Sequence, residues 1–291
     1  MKTKKKKLNI KLKSLILPVL LCMILTVSCS GTGSDNSAAF IIAGSTSVQP
    51  YVEILVEEYA LQFPEMIIDV QGGGSSAGIQ AVESLTAQIG MSSRNLRETE
   101  KHLWTTEIAK DALAIIVNPN NPLIIGSNLD ISLTLDEIRM IYTAEYTNWN
   151  QLGGPDARIH IITREEGSGT RSAFEELVMD DKRITPRAIV QDSNGSVRQL
   201  VSDDPFSIGF ISLGLVEIGE KPVTALRING TAATKSNVLN GDYALFRSFL
   251  FVSLERPTGK VMQFIDFIRS PEGQKILSDE GLIPEFGLHD D

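Results

Sequence analysis

The sequence predicts an α/β protein of two lobes, and three observations carry that expectation. The chain has 291 residues, 42% hydrophobic and 22% charged, which is more than one ordinary domain needs. Short β-branched stretches run repeatedly into Gly/Ser/Thr clusters and then into helically spaced apolar residues, the rhythm of parallel βα units. One uninterrupted apolar run, 112–117, reads as a strand buried on both faces. With 23 Gly, 12 Pro and two Cys, a collagen-like chain, a disordered chain and a disulfide scaffold are all excluded.

The amino terminus stands apart. The first 28 residues hold seven lysines and no acid, so the rest carries 20 basic against 36 acidic groups, a net charge of -16. A field of that sign argues against nucleic-acid partners and anionic membrane surfaces. After the lysines comes an apolar run, 15–27, interrupted by Pro18, then Ser28 and Cys29, the pattern of an export signal over residues 1–28. The run is shorter than the roughly 20 residues of a membrane span. Leu25-Thr26-Val27-Ser28-Cys29 resembles the lipobox of bacterial lipoproteins, with Thr26 where that box usually has Leu; the resemblance implies cleavage before Cys29 and a lipid on it. The alternative is an ordinary signal cut nearby. Cys22 lies inside the leader, so a chain beginning at Cys29 has no disulfide. Residues 29–38 are small and polar beyond the cysteine and suit a flexible tether.

The body follows in βα steps. Phe40-Ile41-Ile42-Ala43 leads through Gly44-Ser45-Thr46-Ser47 to a helix bearing Val52, Leu55, Val56 and Tyr59, ended by Pro64. Ile67-Ile68-Asp69-Val70 leads through the Gly72–Gly74 run and Ser75-Ser76 to a helix with Ile79, Val82 and Leu85. Ile89-Gly90-Met91 enters Ser92-Ser93-Arg94. The apolar run 112–117 follows Asp111 and ends at Asn118-Pro119-Asn120-Asn121-Pro122, strong turn chemistry at which a crossing between lobes is placed. The second lobe, 119–212, is expected to hold a helix from Thr134, a strand 159–162, the cluster 164–171, a helix through Phe174, Leu177 and Val178, and two more βα steps, 188–190 into Ser193-Asn194-Gly195-Ser196 and 208–211 into Ser212. The first lobe, 39–118 and 213–291, is completed by a strand 249–252 and closing helices near 261–268 and 273–277.

Four clusters of small hydroxyl residues fall at strand-to-helix junctions: Ser45-Thr46-Ser47, Ser75-Ser76, Ser92-Ser93 and Ser168-Gly169-Thr170. Helix starts offer unpaired N–H groups, hydroxyls add donors, and Gly lets a ligand approach. One such cluster is an ordinary helix cap. Four of them, converging at the carboxyl ends of the strands with Arg164 able to fork onto two oxygens, point to an oxyanion site. The competing role for Arg164 is a surface ion pair with Glu165 or Glu166.

These residues carry a resemblance. Gly44-Ser45-Thr46-Ser47-Val48-Gln49-Pro50, the stretch Gln71 to Gly78, Gly90-Met91-Ser92-Ser93-Arg94 and the stretch Arg164 to Arg171 resemble the substrate-binding lipoproteins of high-affinity phosphate ABC transporters in their shorter form, across nearly all of 39–287. The resemblance implies a two-lobe, type II periplasmic-binding-protein-like fold with the ligand in the interlobe cleft. It implies a monomeric, extracytoplasmic, lipid-anchored protein that captures phosphate and passes it to a membrane permease, with no cofactor, no metal and no catalysis. Position by position it puts phosphate contacts on Thr46, Ser47, Ser75, Arg164, Ser168, Gly169 and Thr170, and the hydroxyls of Ser45, Ser92 and Ser93 in the same clusters are expected to bind phosphate as well. In the longer branch of that family an Asp closes the third cluster and accepts the ligand's proton; here Ser93 stands there. Asp111 is its candidate substitute, or else a helix or turn cap.

Enzyme readings lack their motifs. Ser168 sits in Glu166-Gly167-Ser168-Gly169 without the first Gly of a nucleophile elbow. The glycine run at 72–74 has no Gly-Lys-Ser/Thr ending, and His102, His160 and His289 form no metal spacing. Capture of another oxyanion, or a sensor, adhesin or hydrolase on the same fold, remain the alternative readings.

Overall fold

The computed structural model of the chain describes residues 38–125 and 131–285. The export signal, Cys29, the tether up to residue 37 and His289 lie outside the described residues.

In chain order the elements are β1 (Ala38–Gly44), α1 (Gln49–Gln62), β2 (Met66–Gly72), α2 (Ser75–Glu83), β3 (Ile89–Ser92) and β4 (Trp104–Val117). Then come α3 (Pro122–Ile125), β5 (Ser132–Leu133), α4 (Leu135–Tyr142), β6 (His160–Arg164), α5 (Gly169–Phe174), β7 (Ile189–Gln191), α6 (Asn194–Asp203) and β8 (Ser207–Ser212). The chain closes with β9 (Thr224–Ala225), β10 (Arg227–Ile228), α7 (Lys235–Leu239), β11 (Phe246–Ser253), α8 (Gly259–Arg269), α9 (Pro271–Asp279) and β12 (Ile283–Pro284). A π-helical turn, Glu175–Met179, prolongs α5. Leu85, expected on the face of α2, lies beyond the helix end at φ 58° and is exposed.

The strands run β2-β1-β3-β11-β4-β8-β6-β7 across one continuous path. β1 is parallel to both β2 and β3, and β6 is parallel to both β7 and β8. β4 and β11 are the antiparallel members that join these two parallel sets.

β4 is 14 residues long, far longer than the apolar run that announced it. Its first part pairs with β11, from Trp104↔Ser253 to Ala112↔Phe246, and its second part pairs with β8, from Leu113↔Ser212 to Val117↔Ile208. Thr105, Glu107 and Lys110 are not buried, and they interrupt the apolar pattern of the first part. In the second part the pleat sends Leu113, Ile115 and Val117 into a core with Tyr142, Phe174 and Phe210, and Ala114 and Ile116 into one with Val197 and Val201. Cover on both faces is why that stretch reads as continuously apolar.

Ile108 and Ala109 of the same strand pack with Phe40, Leu55, Phe249 and Phe264 in a separate core. The change of core therefore falls inside β4, ahead of the Asn118–Pro122 turn at which the sequence suggested a crossing. Asn118 and Asn121 instead fasten the far end of β4, donating to the carbonyls of Val201, Ser202 and Pro205. The return lies near Leu245, whose carbonyl accepts from Leu113 N at 2.8 Å. Leu226, Ile228, Val238, Tyr243 and Leu245, expected in the first lobe, pack in the core of Phe174 and Phe210.

Candidate anion-binding site

The loops that leave β1, β2, β3 and β6 meet across the junction of the two parallel sets. Ser45 and Ser47 follow β1, Ser75 opens α2 after β2, Ser93 follows β3, and Thr170 lies in the first turn of α5; all five are buried. Ser45 Oγ donates to Ser93 Oγ at 2.8 Å, and Ser75 Oγ accepts from Ser93 N at 3.0 Å. Ser47 Oγ and Thr170 Oγ1 lie 2.8 Å apart, a bond between loops that belong to different cores. On the same seam Ser76 N donates to Gly167 O at 3.1 Å. Gly169 permits the approach: a Cβ there would lie 2.1 Å from Ser75 Oγ and 2.6 Å from Ser93 Oγ.

The capping alternative separates the clusters. Ser168 Oγ caps α5 by accepting from Arg171 N at 3.2 Å. The cap residues of α1 and α2, Val48 and Gly74, make no side-chain cap, and the turn before α1 is held instead by Ser45 Oγ, which accepts from Ser47 N at 3.2 Å. Ser47 and Ser75 are thus not committed to helix ends. Ser92 belongs to a local turn instead, donating to Arg94 O and accepting from Arg94 N. Arg94 forks onto Glu100, at 2.7 and 2.8 Å, and so pins the loop after β3; this hydrogen bonding holds the Glu100 carboxyl below its ordinary range despite the opposing effect of burial.

Arg164 does form the ion pair with Glu165, but in the interior. Its side chain is 1% exposed; Nε and Nη2 donate to the two Glu165 oxygens at 2.8 and 2.9 Å, and Nη2 also reaches Asp192 O. Nη1 is buried without a hydrogen-bond partner among the described residues. Thr46 is half-buried and meets Asn194 Nδ2 at 3.3 Å. Asp111, 1% exposed, has both oxygens engaged: Ser212 Oγ donates to Oδ1 at 2.7 Å, and Arg247 Nε and Nη2 donate to Oδ2 at 3.2 and 3.1 Å. Burial pushes the Asp111 carboxyl up, against the pull of Arg247. Burial also pulls the Arg247 guanidinium down, against Asp111 and with help from the positive charge of Arg164.

Two members of this cluster were not foreseen. Arg247 Nη2 donates to Ser47 Oγ at 3.0 Å, and Asn194 Nδ2 donates to the same atom at 2.8 Å. Asn194 stood in a Ser/Gly step that the sequence marked only as a βα junction. Arg247 occupies an inward position of β11, in alternation with Phe249 and Phe251, where an apolar residue is expected. That break in the pattern is the signal that could have found it.

Converging hydroxyls bonded to Arg247, with Arg164 buried at the head of the loop that carries Thr170, suit a small, multiply hydrogen-bonded anion. Comparison with known proteins places the chain in a family. The PBP superfamily domain matches residues 30–272. The phosphate-binding protein PstS of Bacillus subtilis is 32% identical over 263 residues, covering 88% of this chain and 84% of that protein. PstS of Borreliella burgdorferi is 31% identical over 93% of this chain and 98% of its own length. A solved Clostridium perfringens structure with bound phosphate, assigned as a phosphate ABC transporter substrate-binding protein, superposes with a TM-score of 0.79 at 40% identity, over 85% of this chain and all of that one. The type II two-lobe fold expected from the sequence is the fold of these neighbours, and the chain belongs to the PBP superfamily, in its family of phosphate-binding proteins of ABC transporters.

Proposed function

We propose that this chain captures inorganic phosphate between two lobes outside the cytoplasm and delivers it to the membrane permease of a phosphate ABC transporter. The observation that carries the reading is the Ser47–Thr170 seam, where buried hydroxyls from loops of both cores meet; Arg164, which ends the strand leading to Thr170, has a buried Nη1 with no partner among the described residues. Thr46, Ser47 and Ser75, with Ser45 and Ser93 behind them, are the contacts from one side. Arg164, Gly169 and Thr170 are the contacts from the other, Ser168 contributing through the turn it caps. Ser92 acts on the loop shape rather than on the ligand.

The lobes in this reading are 39–112 with 246–285, and 113–245. They turn about the paired stretches of β4 and β11 near Ala112 and Phe246, where the chain crosses twice. Hinge closure of this kind lets a binding protein present its closed, loaded form to a partner. Cys29 is the lipid attachment point that keeps the protein at the membrane face, and the segment up to residue 37 is the tether. The protein acts as a monomer and binds rather than transforms its ligand.

Because the exported body is strongly acidic, long-range attraction does not draw phosphate in; aimed donors do. Calorimetric titration of phosphate, sulfate and arsenate into phosphate-free protein tests the function. Saturable binding of phosphate, well above that of sulfate, is the expected result. Absence of phosphate binding overturns it.

A further inference from the structure

We propose that Arg247 is a second arginine contact to the bound anion, and that Asp111 is the residue that positions it. The proposal rests on the phosphate-binding reading and adds to it a contact from β11, a strand that carries none of the hydroxyl loops.

The two buried arginines each give the same edge to a carboxylate, Arg164 to both oxygens of Glu165 and Arg247 to the single Oδ2 of Asp111. Arg164 gives Nε and Nη2 to Glu165 and leaves Nη1 unpartnered; Arg247 gives Nε and Nη2 to Asp111 and leaves Nη1 unpartnered among the described residues. A carboxylate on one edge of a guanidinium fixes its plane, so the remaining N–H groups point in a set direction. Arg247 reaches the hydroxyl cluster through Ser47, and Arg164 ends β6 at the start of the loop that carries Thr170.

Position in the fold explains how Arg247 is held. Arg247 and Asp111 are directly paired residues on β11 and β4, and the Phe249 ring lies 5.5 Å from the guanidinium carbon. The pair sits at the twofold crossing between cores, with Ser212 at the end of β8 completing the Asp111 contacts. Removing two charges from water costs more than their attraction returns unless other hydrogen bonds follow. A purely structural tie at this place would leave a buried Nη1 with no acceptor, which is unfavourable. An anion oxygen supplies that acceptor.

The same geometry separates Asp111 from a direct role. A carboxylate that reads the ligand's proton needs an acceptor site left over, whereas the roughly four lone-pair sites of Asp111 are taken by Ser212 Oγ, the Leu213 backbone N–H and the Nε and Nη2 of Arg247. Its influence on the ligand therefore passes through Arg247. Loss of its charge should weaken every tetrahedral anion together rather than change which one is preferred.

The test is calorimetric titration of phosphate and sulfate into the full-length chain, beside melting temperatures of the phosphate-free protein. Arg247→Lys keeps a positive charge next to Asp111 but loses the planar fork, and should weaken phosphate binding by about tenfold or more at an unchanged melting temperature. The double variant Asp111→Asn with Arg247→Gln removes both charges, so that neither is left buried alone, and should weaken it by about a hundredfold or more. Parent-like affinity in Arg247→Lys, or a loss of affinity that comes only with a collapsed melting temperature in both variants, overturns Arg247 as a contact. If the double variant does not fold, Arg247→Lys alone decides. Asp111→Asn should lower phosphate and sulfate affinity by the same factor; a shift of their ratio towards sulfate makes Asp111 a direct proton acceptor and overturns its positioning role. A parent chain that binds no phosphate overturns the functional reading instead, so the two failures are distinct.

Discussion

Ser47 and Thr170 share a 2.8 Å hydroxyl bond although they follow strands packed in different cores and stand 123 residues apart in sequence. Both hydroxyls are buried, and Ser47 Oγ also accepts from Asn194 and Arg247. One oxygen thus gathers the loop after β1, the start of α5, the start of α6 and strand β11. In a protein that closes on its ligand, such an atom reports whether the lobes are together.

Gly169→Ala tests the closeness of that seam. The added Cβ would sit 2.1 Å from Ser75 Oγ, and Ser75 is itself buried, so the two loops must separate rather than adjust. Overpacking of this kind costs about 1–3 kcal/mol. If the lobes part when the site is empty, the strain belongs to the closed form alone, so phosphate affinity should fall by an equivalent factor while the melting temperature of the phosphate-free protein stays near the parent's. Small-angle scattering with saturating phosphate should show a larger radius of gyration for the variant. Equal affinity and equal radius would mean that the seam is not part of the loaded state.

Arg164→Ala tests the arginine that the sequence singled out. Truncating one member of a buried charge pair costs about 2–5 kcal/mol of binding. The partner left behind, Glu165, is 30% exposed and can turn to water, in contrast to Asp111, which is 1% exposed. Phosphate affinity should therefore drop steeply with little change in the melting temperature of the free protein. Phosphate binding at parental strength removes Arg164 from the site.

The residues that were legible in the sequence share a cause. Ser45, Ser47, Ser75, Ser93, Gly169 and Thr170 lie in loops where hydroxyls and glycines cluster between a strand and a helix, and parallel strands bring such loops to one edge. Arg247 is a single residue on an antiparallel strand with no cluster around it, visible only as a charge on an apolar face. The length of β4 was hidden by Thr105, Glu107 and Lys110, and with it the crossing near Ala112. The prolines and asparagines at 118–122 are a real turn, but turn chemistry marks where a strand ends and not which core it serves.

Cys29→Ser tests the leader. If a lipid on Cys29 is the anchor and the segment before Ala38 only a tether, the variant should leave the membrane fraction and still bind phosphate at parental strength. A single acyl chain holds a protein weakly and two hold it firmly, so loss of the whole lipidated cysteine should be decisive. Fractionation followed by titration measures both halves of the expectation. Retention of the variant on membranes after a high-salt wash removes Cys29 from the role.

The last prediction follows from the Arg94–Glu100 fork behind the Ser92-Ser93 loop. Hydrogen bonding from Arg94 first, and then from the Arg97 backbone, holds the Glu100 carboxyl below the 4.5 of a free glutamate. A carboxyl whose folded pKa is depressed contributes stability that is fully present above its unfolded value and is lost as pH falls through the folded one. Urea midpoints should therefore be steady near neutrality and fall as the pH drops below about 4.5, the unfolded value, towards the lower folded one. Glu100→Gln keeps an acceptor for Arg94 but cannot titrate, so its midpoint should be lower at pH 7 and its acid slope shallower. Since the fork pins the loop that carries Ser93, phosphate affinity of the parent should weaken over the same acidic window more than that of Glu100→Gln. Parallel acid slopes in the two proteins would mean that other carboxylates govern the loss.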